Sequence, residues 1–391
     1  MNYSKIVFIL SITLTHFSLL QAKELEVQAA SALIMDAGTG KILWEKDAHT
    51  KRYPASTTKI MTSLLVLERA KLDKMISIPE GVDRVGEASI GLKPFEQLSI
   101  KDLLAATMVK SANDAAYALA IHIGGSISNF AQLMNERAAQ LGCKNTYFKN
   151  PHGLNDPDHL TTAYDLALMT SEAMKNPDFR DIAKTQSYKL TRNDSASLTT
   201  ITSKNKWLSI DPTADGVKTG WTIPAGQCYV GSATRKGQRV ITVILKSNEW
   251  MKDHEVMLNW AFENHEWQRI AKKEEPLAQI KVKNGLYTKI EAAPLVDLYC
   301  VKTINLASNP KFRYEIYKNI KAPIKKGMPL GVVYLTDASG YEQKIPLVAL
   351  ENVDSLETTI VQRNSTPPIT TLLSLLLGSS VFTLFVGNRK K

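Results

Sequence analysis

Apolar positions in the first hundred residues follow two different periods. Residues 29–36 and 41–45 are apolar-rich runs on either side of Ala37-Gly38-Thr39-Gly40, and glycines at such a turn predict a β-hairpin. From Ser56 onward the period becomes that of a helix with one apolar side. The apolar side consists of Ile60, Met61, Leu64, Leu65 and Leu67. This stripe predicts that the helix lies in a core and holds its first residues rigidly.

Further helical patterns follow, several with a recognisable first residue. Two segments have the form of a capping box and predict helix starts, namely Ser99 with Asp102 and Thr162 with Asp165. Ser111-Ala112-Asn113 interrupts the helical pattern between them. More helices are predicted over 114–120, 128–141 and 253–262, and a strand hairpin over 227–234 and 239–245. Helices enclosed by strands from distant segments predict an α+β domain over residues 23–270, with a sheet flanked by helices.

The pattern changes after residues 272–276, a charged stretch that is typical of a linker. From 276 to 353 the chain has short alternating runs separated by Gly and Pro, which predicts a small all-β domain. Its predicted strands cover 278–282, 298–301, 312–316, 330–335 and 343–347. No obvious catalytic group stands in these runs, so we expect a spacer or docking role.

Both ends of the chain carry apolar stretches. A lysine followed by an apolar run in residues 1–22 predicts a secretory signal peptide, with an N-terminal membrane anchor as the alternative. After a linker over 354–368, residues 369–386 predict a transmembrane anchor that would span roughly 27 Å as a helix. The alternative is an amphipathic helix lying on the membrane. Arg389-Lys390-Lys391 would stay in the cytoplasm, which places the domains on the extracytoplasmic, periplasmic side of the inner membrane.

Composition and charge limit the classes of binding partner that we expect. The 391 residues carry a formal net charge of +10, which suits an acidic polymer, an anionic membrane surface or a carboxylate-bearing substrate. The sequence has no nucleic-acid-binding motif, so we expect no nucleic acid partner. Cys143, Cys228 and Cys300 are widely spaced and predict buried thiols rather than a disulfide framework or a metal site. We therefore expect no metal and no cofactor.

A candidate nucleophile stands at the start of the first helix. Ser56 and Lys59 are three residues apart, so they share one face of a helix. A neutral lysine amine there could take the serine proton. Ser-x-x-Lys is a weak pattern, because Ser203 with Lys206 and Ser308 with Lys311 repeat it.

Two further motifs make the Ser-x-x-Lys pattern at Ser56 more specific. Ser111-Ala112-Asn113 lies in a loop between helices, and Lys218-Thr219-Gly220 precedes a strand hairpin. With Ser56 and Lys59, their order and contexts are those of the penicillin-recognising serine acyl transferases. The chain resembles the low-molecular-mass penicillin-binding proteins, and among them the serine D-alanyl-D-alanine carboxypeptidases. Further matches are Asn150-Pro151-His152-Gly153-Leu154 and Ala214-Asp215-Gly216, with Ala322-Pro323-Ile324-Lys325-Lys326-Gly327 in the predicted β domain.

The resemblance implies a catalytic domain with a penicillin-binding or β-lactamase-like fold, and a role for each residue. Ser56 would attack the bond between two terminal D-alanines of a peptidoglycan stem peptide, with Lys59 as the general base. Ser111 would relay a proton to the leaving amine, and Asn113 would hold the substrate amide. The family's other assigned positions are Lys218 and Thr219 at the terminal carboxylate, Gly220, and Trp221, whose N–H would complete an oxyanion hole with that of Ser56. β-Lactam antibiotics would acylate the same serine.

Several alternatives stay open from the sequence. Lys204 and Lys206 occupy a segment where relatives often place an arginine, and lysine lacks the bidentate fork, so carboxylate affinity is in question. A DD-endopeptidase or transpeptidase would carry the same marks. A serine β-lactamase is disfavoured, since no Glu-x-x-Leu-Asn lies between Asn113 and Lys218. A non-catalytic wall-binding protein and a zinc peptidase are weaker still, the latter because no HExxH occurs.

Overall fold

The computed structural model describes residues 25–86, 88–192, 199–304 and 309–356. The strands are β1 Ser31–Asp36, β2 Ile42–Lys46, β3 Met75–Ser77, β4 Gln97–Ser99, β5 Ser187–Lys189, β6 Thr200–Thr202, β7 Ala214–Thr222, β8 Gly226–Arg235, β9 Gln238–Ser247, β10 His265–Ala271, β11 Ala278–Lys281, β12 Lys289–Pro294, β13 Leu298–Thr303, β14 Lys311–Ile316, β15 Pro329–Thr336 and β16 Glu342–Ala349. The α-helices are α1 Lys59–Arg69, α2 Ile100–Ala105, α3 Asn113–Gly124, α4 Ile127–Gln140, α5 Ala163–Ala173, α6 Pro177–Ala183 and α7 Trp250–Asn264. Three-residue or four-residue 3₁₀ turns occupy Ala55–Thr58, Val82–Arg84 and Lys206–Ser209, and a π-helical turn occupies Ala106–Lys110.

A five-stranded antiparallel sheet, ordered β2-β1-β9-β8-β7, forms the middle of the first domain. Alternate side chains of β1 point to opposite faces, so Leu33 and Met35 join one core while Ala32 and Ile34 join another. Helices α1 and α5 belong to the first core and α7 to the second. Because helices cover both faces, every residue of β1 is buried. The α+β arrangement and the β1–β2 hairpin predicted from the sequence are confirmed.

Side-chain caps start the helices where the sequence predicted them. The Ser99 hydroxyl accepts a hydrogen bond from the Asp102 amide at 3.0 Å, and Thr162 accepts from the Asp165 amide at 3.0 Å. These bonds satisfy backbone donors that have no partner within the helix, which fixes α2 and α5 at their first turns. Gly142, with φ of 84°, follows α4 and confirms the predicted stop.

The C-terminal part of the described chain is all-β, as predicted. Strands β11-β12-β16-β15-β14 form one sheet and β10-β13 form a two-stranded ribbon. Two of these strands, β10 and β12, were not among the predicted ones. Strand β10 lies within the predicted first domain, yet it pairs with β13, so the β fold begins at His265. Helix α7 runs directly into β10, and the charged stretch 272–276 lies after this change of partner.

Polar contacts join the domains at the β1–β2 turn, and two of them involve carboxylates. The Lys41 ammonium bonds the Asp337 carboxylate at 2.5 Å, and both side chains are almost completely buried. The Trp267 indole donates to the Asp36 carboxylate at 2.7 Å. A buried charge left without its partner is strongly destabilising, so each contact favours one docking geometry of this turn against the β domain.

The predicted cysteine environment is confirmed, whereas the predicted ends of the chain lie outside the described residues. Cys143, Cys228 and Cys300 are free and buried. Within the described ranges, no helix combines the length and apolar character needed to cross a membrane. Residues 1–22 and 369–386, predicted as signal peptide and anchor, are not among the residues described.

Candidate active site

Ser56 stands on a tight turn at the start of a buried helix. The 3₁₀ turn Ala55–Thr58 leads directly into α1. Ala55 adopts a φ of 48°, a left-handed conformation that is unfavourable for most residues. Ser56 lines a cleft of about 750 Å³. The side chains of Ile60, Met61, Leu64 and Leu65 are buried, so the turn is held on a rigid element.

Lys59 directs its amine at the serine hydroxyl. Its Nζ lies 2.9 Å from Ser56 Oγ, 2.6 Å from Asn113 Oδ1 and 2.8 Å from the His152 carbonyl oxygen. Three partners from three segments of the chain therefore fix the amine in one position. The side chain itself is completely buried.

Lys218 supplies the second lysine amine of the site. From the middle of β7 its Nζ donates to Ser111 Oγ at 3.0 Å and to the Thr219 carbonyl at 2.9 Å. Ser111 has a φ of 64° at the end of the π-helical turn, a strained left-handed conformation for a serine. That kink turns the chain so that Asn113 can begin α3 beside Lys59.

Burial sets the protonation of both lysines. Removal from water holds the pKa of Lys59 well below its usual value, and the positive charges of Lys218 and Lys204 lower it further, whereas Asp114 raises it. Burial likewise lowers the pKa of Lys218 to about 7, with a smaller contribution from Lys204. For the pKa of Lys59, the charge of Lys218 contributes, but desolvation is the larger cause.

Asn113 makes contacts with both ends of its side-chain amide. Its predicted role in holding the substrate amide stays a prediction, and in the structure its oxygen accepts from Lys59 while its nitrogen donates to the Gly86 carbonyl at 3.0 Å. Its backbone amide also donates to the Ala88 carbonyl at 2.6 Å. Asn113 therefore ties the segment around Ala88, which lines the cleft, to the lysine amine.

Strand β7 forms one wall of the cleft at the edge of the sheet. Thr219, Gly220 and Trp221 all line it, and Trp221 is 64% exposed. A Cβ added to Gly220 would lie 2.9 Å from the backbone nitrogen of Ser56, closer than real Cβ atoms come to other atoms. A glycine is therefore needed for β7 to approach the serine turn this closely.

The remaining cleft surface is cationic on one part and apolar on another. Lys204 and Lys206 line it, as do Ile223, Pro224 and Met251. Among the residues that the structure describes, no group of three or more His, Cys, Asp and Glu side chains is placed to hold a metal ion. The side chains that meet beside Ser56 carry hydroxyl and amine groups.

A loop that the sequence identified only as a family match supports the site from below. The Pro151 carbonyl accepts from Thr62 Oγ1 at 2.6 Å, so two successive carbonyls of this loop, Pro151 and His152, bind α1. Gly153 has a φ of 88°, and a Cβ there would lie 1.8 Å from the Ala55 carbonyl oxygen. These contacts are made by backbone atoms of the loop, so the types of side chain in the sequence do not indicate them.

The structure thus brings together all eight residues singled out from the sequence. Direct hydrogen bonds join Ser56 to Lys59, Lys59 to Asn113, and Lys218 to Ser111. Thr219, Gly220 and Trp221 complete the same cleft. The other Ser-x-x-Lys tetrad within the described residues, Ser203 with Lys206, leads into a short 3₁₀ turn rather than a buried α-helix.

Comparisons with known proteins agree with this geometry. The family profile described as D-alanyl-D-alanine carboxypeptidase matches residues 18–249, and that of penicillin-binding protein 5, C-terminal domain, matches residues 265–355. D-alanyl-D-alanine carboxypeptidase DacF of Bacillus subtilis is 32% identical over 343 residues, which cover 85% of this chain and 88% of the relative. The crystal structure of penicillin binding protein 5 from Haemophilus influenzae has a TM-score of 0.69 at 28% identity, covering 84% of this chain and 98% of that one. A Streptomyces DD-transpeptidase mutant has a TM-score of 0.58 at 33% identity, covering 61% of this chain and 99% of that one.

Two glycines with nearly equal φ angles test the packing beneath Ser56. Gly153 and Gly142 have φ of 88° and 84°, but a Cβ at Gly142 meets no atom within 4 Å. We expect Gly142→Ala to lower the free energy of unfolding by about 1 kcal/mol through backbone strain alone. Gly153→Ala must also displace the Ala55 carbonyl, so its loss should be larger, on the order of 3 kcal/mol or more. Urea unfolding measures both, and equal losses would contradict the close contact.

Proposed function

The chain belongs to the D-alanyl-D-alanine carboxypeptidase family of serine peptidases, and we propose that it removes the terminal D-alanine from peptidoglycan stem pentapeptides through an acyl-enzyme on Ser56. The observation that carries this proposal is the buried Lys59 amine, 2.9 Å from the Ser56 hydroxyl, with its pKa held well below the usual value. A lysine can act as a general base near neutral pH under such a condition.

Acylation follows from the arrangement around Ser56. Neutral Lys59 takes the hydroxyl proton while Ser56 Oγ attacks the carbonyl carbon of the penultimate D-alanine. The negative charge that develops on the carbonyl oxygen is stabilised by the backbone N–H groups of Ser56 and Trp221. The C–N bond then breaks, and the proton that Lys59 took from Ser56 passes through Ser111 to the leaving nitrogen, so that D-alanine departs with a neutral amine and Lys59 is again unprotonated. The hydrogen bond from Lys218 to Ser111 supports this relay.

Deacylation reuses the same base. A water molecule attacks the acyl carbonyl and gives its proton to Lys59, and the ester bond to Ser56 breaks with return of a proton to the serine oxygen. The products are a shortened stem peptide and the free enzyme. A β-lactam ring opens on Ser56 by the same first step, which makes these antibiotics covalent inhibitors of the protein.

The cationic side of the cleft suits a substrate with a free C-terminal carboxylate. Lys218 in its charged form and Thr219 bind this carboxylate, and Lys204 adds positive charge nearby. Asn113 positions the amide of the acyl group. The roles of these residues rest on the geometry of the cleft and on the motif positions that they occupy.

Transfer of the acyl group to an amine instead of water is a second candidate activity. The similarity to a Streptomyces DD-transpeptidase favours it, since the same acyl-enzyme serves both reactions. Cleavage of cross-links by a DD-endopeptidase would also pass through this intermediate. Transpeptidation therefore differs from hydrolysis in the acceptor of the acyl group, and an endopeptidase differs from a carboxypeptidase in the amine that leaves.

We further propose that the protein is exported by residues 1–22 and held by residues 369–386 on the extracytoplasmic face of the inner membrane. The apolar composition of these segments and the three basic residues that end the chain support this placement. A catalytic domain on that side of the membrane would meet its peptidoglycan substrate.

Labelling with fluorescent penicillin tests the nucleophile. Wild-type protein should take up label and should release free D-alanine from a pentapeptide muropeptide, whereas Ser56→Ala should do neither. Ser203→Ala is the matched control, because it removes the serine of the other Ser-x-x-Lys tetrad and should retain both activities. Labelled Ser56→Ala would rule out this serine. Label without D-alanine release, but with transfer to an added amine, would replace the carboxypeptidase assignment by transpeptidation.

The pH dependence of acylation tests the lysine assignment. The rate should fall on the acid side as Lys59 gains a proton, and on the alkaline side as Lys218 loses its charge around pH 7. Lys204→Gln removes a positive charge that lowers both pKa values, so both limbs should move to higher pH. Lys204→Arg keeps the charge and should leave the limbs in place. Limbs that do not move in Lys204→Gln would contradict the electrostatic account.

Truncations test the membrane placement. Chains that end at residue 386 should remain in the membrane fraction through alkaline carbonate washing, whereas chains that end at residue 368 should be released. Carbonate extraction of the longer chain would indicate a helix lying on the surface. Membrane retention of the shorter chain would contradict anchoring by residues 369–386.

A further inference from the structure

A buried relay of hydrogen bonds lies beneath the turn that carries Ser56. The Lys149 amide donates to His159 Nδ1 at 3.0 Å, and His159 Nε2 lies 2.9 Å from Thr58 Oγ1. Thr58 Oγ1 in turn donates to the carbonyl oxygen of Ala55 at 2.9 Å. His159 and Thr58 are 1% and 0% exposed. The mechanism above makes no use of these groups.

The direction of each bond follows from the types of atom involved. A backbone N–H can only donate, so Nδ1 of His159 accepts from Lys149 and carries no proton. The neutral ring therefore carries its proton on Nε2 and donates it to Thr58 Oγ1. The Thr58 hydroxyl, having accepted that bond, points its own proton at the Ala55 oxygen. Burial lowers the pKa of His159 to about 4, which keeps the ring neutral near neutral pH.

The end of the relay fixes the peptide group that precedes the nucleophile. The Ala55–Ser56 bond is trans, so its C=O and N–H point in opposite directions. A carbonyl held toward Thr58 and Gly153 therefore leaves the Ser56 N–H aimed the other way. The Ser56 nitrogen faces Gly220 on β7, where a Cβ would come within 2.9 Å of it. This is the side of the cleft where the reacting carbonyl oxygen would lie.

We propose that His159 is a positioning residue that aims the oxyanion-stabilising N–H of Ser56, acting through the Thr58 hydroxyl and the Ala55 carbonyl. The proposal rests on the proposed acyl transfer at Ser56. The relay should stabilise the transition state rather than strengthen substrate binding, because the Ser56 N–H faces negative charge that develops only as the carbonyl is attacked.

Ala55 supplies the reason for such support. Its φ of 48° is an unfavourable conformation for alanine and persists only where surrounding contacts hold it. The Thr58 hydroxyl provides a hydrogen bond to this peptide group, and Gly153 leaves room for the carbonyl. Without the hydroxyl, the peptide group can rotate and carry the Ser56 N–H away from the cleft.

Two matched pairs of substitutions separate the relay from packing. Thr58→Val keeps the shape and removes the hydroxyl, whereas Thr58→Ser keeps the hydroxyl. His159→Asn places an oxygen near Nδ1 for Lys149 but cannot reach Thr58, whereas His159→Gln places its amide near Nε2 and can still donate to Thr58. Removing one oxyanion donor lowers kcat by about 10²–10³-fold, so a misaimed donor should lower it by about 10–100-fold.

The readouts are the acylation rate constant for a β-lactam, its split into binding and chemical steps, and the carbonyl stretch of the acyl-enzyme. We expect Thr58→Val and His159→Asn to slow the chemical step at least tenfold, with substrate binding unchanged and the carbonyl band at higher frequency. Thr58→Ser and His159→Gln should recover most of the rate and the band position. The double variant Thr58→Val/His159→Asn should be no slower than the slower single variant, because both act through one relay.

Three outcomes would overturn the proposal. One is wild-type acylation by Thr58→Val, another is a rate loss without any change in the carbonyl band, and the third is an additive loss in the double variant. Thermal unfolding of each variant identifies losses caused by misfolding, and the isosteric Thr58→Val still decides if His159→Asn does not fold. Failure of the wild type to form any acyl-enzyme would instead refute the proposed function itself.

Discussion

The burial of the Lys59 amine is the constraint on which the rest of this site depends. An ammonium group removed from water, beside the second buried lysine Lys218, is unfavourable, so the pKa of Lys59 falls well below its usual value. In its neutral form the amine is a base placed 2.9 Å from a serine hydroxyl. Burial is effective only if the amine keeps its hydrogen bonds, and Asn113 and the His152 carbonyl supply them.

The fold provides these partners from separate elements that meet at one edge of the sheet. The 3₁₀ turn Ala55–Thr58 carries Ser56, and α1, which follows it directly, begins at Lys59. The kink at Ser111 starts α3, and β7 brings Lys218 to the same place. Because β7 ends the sheet order, its outer edge is turned to the nucleophile, with Gly220 close to the Ser56 backbone. The rigid sheet, covered by helices on both faces, is what allows contacts of this accuracy.

Much of this arrangement could be predicted from local patterns, and the reason differs for each part. The caps at Ser99 and Thr162 act within four residues, so the sequence alone located these helix starts. Strand β10 could not be found in this way, since its partner β13 is distant and α7 runs into it without a break. The site residues could be recognised from the sequence because they occupy motif positions that are defined by residue type. The bond between Thr58 and His159 joins residues 101 positions apart, and the next bond of the relay ends on the Ala55 carbonyl, so no local pattern of side chains indicates it.

The protonation state of the Lys59 amine can be followed directly by NMR. In protein labelled with ¹⁵N at lysine Nζ, the Lys59 signal can be assigned by its loss in Lys59→Met and followed against pH. We predict that the Lys59 amine titrates well below the usual lysine pKa of 10.5. A Lys59 signal that stays in the ammonium form up to that ordinary value would contradict it, because a charged lysine cannot take the proton from Ser56.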